Sequence, residues 1–202
     1  MTPGKAKKRT HVALLRGVNV VGRNTVSMAV LRELVESLGH EEVVTYIQSG
    51  NVAFAAVAPG ADNSTIARAM ETAIATRCGV NARVIVVRAA ELARVVANNP
   101  FPDVTDYRML HAVFLEAPPD NAGVASVAAA VGRAREKGSR DDARVVGGAL
   151  YLWTPDGFGP SVLRRELDRG GANKTPFGDG TARNWATVTT LTTLVGCTPV
   201  GR

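Results

Sequence analysis

Arginine, glycine and asparagine crowd into one stretch, Arg16-Gly17-Val18-Asn19-Val20-Val21-Gly22-Arg23-Asn24. A guanidinium offers planar donors matched to carboxylate or phosphate, and a carboxamide both donates and accepts. Glycine at positions 17 and 22 lets backbone come close to a ligand or take positive φ. The apolar run Val12-Ala13-Leu14-Leu15 precedes the stretch, and an amphipathic pattern begins near Ser27. A strand therefore empties into this loop, and the loop feeds a helix N-terminus whose amides and dipole favour anions. The chemistry indicated is anion recognition; no reaction is specified.

Gly17-x-x-x-x-Gly22-Arg23-Asn24 has the glycine spacing of a P-loop, but Arg23 stands at the lysine position and Asn24 replaces the Mg²⁺-binding hydroxyl. The antiparallel sheet expected here is also the wrong setting for nucleotide hydrolysis. Conventional catalytic sets are thin. His11, His40 and His111 are scattered, no G-x-S-x-G or H-E-x-x-H occurs, and no spacing pairs Asp103, Asp106 and Glu116. Ser161, after Gly159-Pro160, suits an N-cap. Cys78 and Cys197 make neither a disulfide framework nor a metal spacing. No metal is indicated, the cofactor is unknown, and the sequence leaves open whether the protein is an enzyme.

The elements that position these residues follow from periodicity. A strand is expected at 11–17. A helix at 27–38 puts Met28, Leu31, Leu34, Val35 and Leu38 on one face, and Gly39 stops it. Two short strands, 43–47 and 52–54, flank a Gln48-Ser49-Gly50-Asn51 turn. A helix at 64–78 and a strand at 84–87 complete a β-α-β-β-α-β order, the ferredoxin-like unit. The order recurs: a strand at 110–116, a helix at 121–135, a hairpin of 144–146 and 149–153 around Gly147-Gly148, and a helix at 161–167. An offset of 100 overlays His11–Arg16 on His111–Glu116. In place of a last strand, a Gly-rich loop at 168–180 precedes a helix from Thr181 to Val195, with Thr181 as N-cap and Trp185, Val188, Leu191 and Leu194 as its stripe.

The fold expected is therefore α+β, with two tandem ferredoxin-like halves, the second lacking its last strand and ending in a C-terminal helix. The expected divisions are a basic flexible tail (1–9), an N-terminal half (10–89), a connector helix and loop (90–106) and a C-terminal half (107–202). In a ferredoxin-like unit the first two strands run the same way, joined by a right-handed crossover. The loop after the first strand and the turn between the second and third then share one sheet end. Arg16, Asn19, Arg23 and Asn24 are thereby brought towards Gln48, Ser49 and Asn51. The opposing reading is that these amides only close turns through side-chain-to-backbone bonds.

Bulk properties narrow the partners. No apolar run approaches the ~20 residues needed to cross a bilayer, so no membrane is expected and a cytoplasmic location is the default. Of the formal charge of +6, four come from Lys5, Lys7, Lys8 and Arg9, leaving +2 for the body. Nucleic acid as a partner thus rests on the amide-rich loops and on the tail, the latter through weak, salt-sensitive attraction. The aromatic content is too sparse for base stacking on the sheet, with Phe54 alone in the third strand.

Three ordered motifs carry a family resemblance: Arg16-Gly17-x-Asn19-x-x-Gly22-Arg23-Asn24, Thr45-Tyr46-Ile47-Gln48-Ser49-Gly50-Asn51-Val52-x-Phe54 and Thr181-x-Arg183-Asn184-Trp185-x-Thr187-Val188. Asn99-Pro100-Phe101 and Gly159-x-Ser161-x-Leu163 add to them. Over about residues 10 to 195 the sequence resembles the domain of unknown function 1697 family, departing from its pattern at Val21, Ala186 and Thr190. The resemblance implies a fold and motif residues but no activity, and it adds Arg183 and Asn184 to the candidate set. Three functions are in competition. The first is a cytoplasmic binding protein for an anionic, phosphate-bearing ligand (a phosphorylated metabolite, nucleotide or exposed nucleic-acid phosphate) at the loop after the first strand, held by Arg16, Gly17, Asn19, Gly22, Arg23, Asn24, Gln48, Ser49, Asn51, Arg183 and Asn184. The second is an enzyme acting on a phosphorylated or carboxylated small molecule. The third is a structural or interaction module with no small-molecule ligand.

Overall fold

Aliphatic and β-branched runs become strands, and a computed structural model describes residues 7–20, 24–170 and 180–197. The elements are β1 (His11–Arg16), α1 (Met28–Ser37), β2 (Glu41–Tyr46), β3 (Asn51–Ala55), α2 (Asn63–Cys78), β4 (Arg83–Arg88), α3 (Ala89–Ala97), β5 (Leu110–Phe114), α4 (Asn121–Glu136), β6 (Asp142–Val146), β7 (Ala149–Trp153), α5 (Val162–Leu167), β8 (Thr181–Asn184) and α6 (Trp185–Leu194). The architecture is α+β, with two four-stranded antiparallel sheets and six α-helices among the described residues. The chain divides into two compact units, 1–93 with 190–202, and 94–189. No helix among the described residues is long and apolar enough to cross a membrane.

In the first unit the strand order is β2-β3-β1-β4. β1 lies antiparallel to both neighbours, with Leu14 opposite Asn51 on one side and Ile85 on the other. Alternation along β1 sends Ala13 and Leu15 into a core with Val52, Phe54, Val84 and Val86. α1 and α2 cover that face through Leu31, Leu34, Val35, Ile66, Met70 and Ile74. Ser27 caps α1, its Oγ accepting from the Val30 N–H at 3.2 Å, and Gly79 ends α2 in the left-handed conformation.

The second unit has the order β6-β7-β5-β8. Its core gathers Val127, Ala130, Val131 and Ala134 of α4 with Leu150 and Leu152 of β7 and Leu163 of α5. Asp120 caps α4 by accepting from the Gly123 N–H at 2.7 Å. Ser161 caps α5, as its position predicts, accepting from the Arg164 N–H at 3.0 Å while donating to Asp141 Oδ2 at 2.8 Å.

One expectation is overturned. The second half does not lack its last strand: Thr181–Asn184 is β8, paired with β5 from His111↔Asn184 to Phe114↔Thr181. Thr181 is therefore not a helix cap. Thr181 and Arg183 are buried while Ala182 and Asn184 are half-buried, the two-residue alternation of a strand. The helical stripe begins only at Trp185, with Val188, Leu191 and Val195 buried and Leu194 half-exposed. Of the Gly-rich loop expected at 168–180, Asp168–Gly170 is a short 3-10 turn and 171–179 lie outside the described residues.

Candidate functional site

The loop after β1 and the β2–β3 turn meet at one end of the first sheet. The Leu15 N–H donates to the Gly50 carbonyl at 2.8 Å. Asn19 Nδ2 donates to the Gln48 carbonyl at 2.8 Å, tying loop to turn directly. Contact is tight: a Cβ added at Gly50 would fall 2.7 Å from both Leu15 Cβ and Val18 Cγ2. With φ of +73° as well, position 50 admits glycine for two independent reasons.

The amides spend their polar atoms on this junction. Asn19 Oδ1 accepts from the Val26 N–H at 2.9 Å, and its Nδ2 also donates to the Val26 carbonyl at 2.9 Å. The Asn19 N–H donates to the Asn24 carbonyl at 3.1 Å, and Asn24 Nδ2 returns to the Gly17 carbonyl at 3.0 Å. Asn51, fully buried, donates to the Tyr46 carbonyl at 3.1 Å and Ser49 Oγ at 2.9 Å. Side chains thus close a loop whose backbone turns left-handed at Gly17, Asn19 and Asn24, and a turn left-handed at Ile47 and Gly50. Asparagine tolerates that region because its short side chain bonds locally. Ile47, β-branched at φ +48°, has no such compensation.

The outward groups are different ones. Gly17, Asn24, Gln48 and Ser49 are exposed, and Arg16 is half-buried with Arg83 opposite it on β4. Val20 and Ile47 are 56% and 49% exposed, each one residue away from the Asn19–Gln48 bond. Gly22 and Arg23 lie outside the described residues.

Arg183 and Asn184 belong to the second unit. Arg183 is buried, with Nη1 donating to Thr181 Oγ1 at 2.8 Å and the Ala182 carbonyl at 2.9 Å; burial pushes its guanidinium down to about 10. Asn184 Oδ1 accepts from the Thr187 N–H at 2.9 Å and so caps α6. Of the tail cations, Lys7 pairs with Glu41 at 2.8 Å and Arg9 Nε donates to the Glu42 carbonyl at 2.6 Å.

A second polar cluster in the first unit escapes sequence reasoning. His11 and His40 both pack on Phe54, at 5.7 and 4.8 Å between ring centroids. Arg88 sits opposite His11 on β4, and its Nη2 donates to the Ala61 carbonyl at 3.0 Å. Glu91 Oε2 accepts from the Arg88 N–H at 2.8 Å and from Asn63 Nδ2 at 3.2 Å, which fixes the Asn63 amide. His11 Nε2, Arg88 Nε and Asn63 Oδ1 are buried without a hydrogen-bond partner. Burial first, then the Arg88 charge, holds the His11 pKa below its ordinary value. The four contributors come from four elements, so no local spacing signals them. Among the described residues, no group of three or more His, Cys, Asp or Glu is placed to hold a metal ion.

A family model described as "Protein of unknown function (DUF1697)" matches residues 9–151. Among solved structures, the conserved bacterial protein SP0830 from Streptococcus pneumoniae is similar in fold. Its TM-score is 0.67 at 19% identity, covering 94% of this chain and 99% of that one. No curated protein matches.

Proposed function

The chain belongs to the DUF1697 family, and from that premise we propose that it is a binding module whose recognition surface is the loop end of the first unit. The observation carrying this reading is the Asn19 side chain, which spends its donor and acceptor on Val26 and Gln48. Amides so engaged are scaffold, and the surface they stiffen offers Val20, Ile47, Gln48 and Ser49. Methyl groups beside amide and hydroxyl groups suit a protein surface, and a stiff platform loses little conformational freedom on binding. We read each unit as ferredoxin-like from its strand order, the two in tandem, and the protein as cytoplasmic.

The test uses Ile47→Asp, at an exposed position, with a photo-crosslinker at Ser49. The variant should keep its fold, and the specific crosslinked product seen with Ile47 should disappear. Unchanged crosslinking would reject the surface.

A second reading keeps the anionic small molecule. Arg16 and Arg83, side by side at this sheet end, favour it. Recognition would then rest on Arg16, Arg23, Gln48 and Ser49, with the Gly17 and Gly22 backbone allowing close approach and the asparagines holding the loop. A thermal-shift screen of phosphorylated metabolites and nucleotides tests it: stabilisation lost in a folded Arg16→Ala variant supports it, and none across a broad panel rejects it. Catalysis on such a molecule requires turnover in the same panel.

A further inference from the structure

Charge is most unevenly spent in the second unit. Glu166 of α5 is buried, its side chain 3% exposed, and three cations converge on it. Arg133 Nε donates to Oε2 at 2.9 Å, with Nη2 reaching the Glu166 carbonyl at 3.4 Å. Lys137 Nζ donates to Oε1, and Arg169 Nη1 lies 3.0 Å from Oε2. Hydrogen bonds from Lys137 and then Arg133 hold the Glu166 carboxyl below the usual range, so it stays ionised.

A buried carboxylate needs a partner, because an unpaired charge is costly away from water. One cation would serve; three leave a formal excess of two positive charges. Three further carboxylates of this unit are committed to cations of their own. Asp142 pairs with Arg135 and Arg144, Asp156 with Arg140, and Asp168 with Arg164. Arg133, on α4, and Lys137, its C-cap, also stand four residues apart, an unfavourable spacing for like charges. The three side chains remain 38%, 46% and 60% exposed, although their heads are tethered from beneath. Each also has more N–H groups than Glu166 takes up.

We propose that Arg133, Lys137 and Arg169, oriented by Glu166, form a binding site for a phosphate monoester dianion. Two negative charges match the excess, and a tetrahedral group with several acceptor oxygens can take donors from three sides, which a planar carboxylate cannot. Glu166 is a positioning residue: it holds the cation heads at one spacing and does not itself touch the anion. The site lies in the second unit, and its argument is independent of the loop surface proposed above.

The test is a titration of the full chain with inorganic phosphate at low salt, followed by amide NMR, with chloride as control. Saturable shifts are expected around 133, 137, 166 and 169. Arg169→Gln, at an exposed position, should weaken binding about tenfold, the loss of one charge-assisted contact. Glu166→Gln separates tethering from simple attraction. It raises the net positive charge, so attraction alone would tighten binding, whereas loss of the tether weakens it. Should that buried substitution impair folding, Arg169→Gln and Lys137→Gln decide the matter. Uniform shifts abolished by moderate chloride, or an unaffected Arg169→Gln, would overturn the site. A single-stranded oligonucleotide contacting these residues more tightly than a nucleoside monophosphate would overturn the monoester assignment in favour of nucleic acid.

Discussion

Where β1 gives way to α1, the first unit is built from amides; where β5 gives way to α4, the second is built from proline, and glycine closes its hairpin. The β6–β7 hairpin turns through Gly147 and Gly148, left-handed at φ +59° and +86°, the inexpensive way to close two strands. Pro118 and Pro119 then lead to the Asp120 cap of α4. The first unit reaches the same strand order with left-handed turns at Asn19, Asn24 and Ile47 and a net of side-chain bonds to carbonyls. Chain reversal alone does not call for that construction. Strain and polar bonding concentrated where none is topologically needed are what the proposed recognition surface rests on.

The sharpest way to break this contrast is alanine at the matching glycines. Gly50→Ala drives a Cβ into Leu15 and Val18, whereas at Gly148, which likewise precedes the third strand of its sheet, it meets Pro118 at an ordinary 3.6 Å. Urea unfolding should lose about 4 kcal/mol for the first and about 1 for the second; equal losses would show the two turns to be equivalent.

Next in size is an acid effect that the units share at their opposite sheet ends. His111, second in β5, stacks on a phenylalanine as His11 does, here Phe158 at 4.1 Å. Burial pushes it down to about 4 from its ordinary 6.5. Between those values the unfolded chain binds a proton that the folded chain refuses. Stability is therefore fully present above pH 6.5 and falls progressively towards pH 4, by roughly 3 kcal/mol for this group alone. A His111→Gln variant should flatten the pH profile of unfolding; an unchanged slope would reject the assignment.

Asn19→Ala sharpens the contrast further. It removes three bonds and leaves alanine left-handed, for an expected cost of about 2 kcal/mol, with the amide signals of 17–26 and 47–51 broadening together. Independent behaviour of the two segments would mean that they are not one surface. The smallest effect is expected at the His11 cluster. Asn63→Ala removes the bond to Glu91 and should cost under about 1 kcal/mol in urea unfolding; a loss several times larger would show that the cluster anchors the whole unit.

Periodicity was enough to read most elements, and the meeting of the two loops followed from strand order, because both are repeated along the chain. What the amides do there was not legible. Asn19 bonds to the carbonyls of Val26 and Gln48, and a backbone carbonyl leaves no mark in the residue type. β8 was missed because four residues give only two repeats of a strand pattern and run straight into the Trp185 helix. Glu166 was hidden for another reason: Arg164-Arg165-Glu166 resembles a solvated helix face until α4 supplies Arg133 and Lys137.

Ile47 keeps its methyls in water at an angle that most side chains avoid. Asparagine or glycine would sit there more comfortably by about 1 kcal/mol. Ile47→Asn is thus a gain in folding, and a laboratory selection for heat resistance alone should discard isoleucine early. If the proposed surface is right, a parallel selection that also demands binding should refuse that trade.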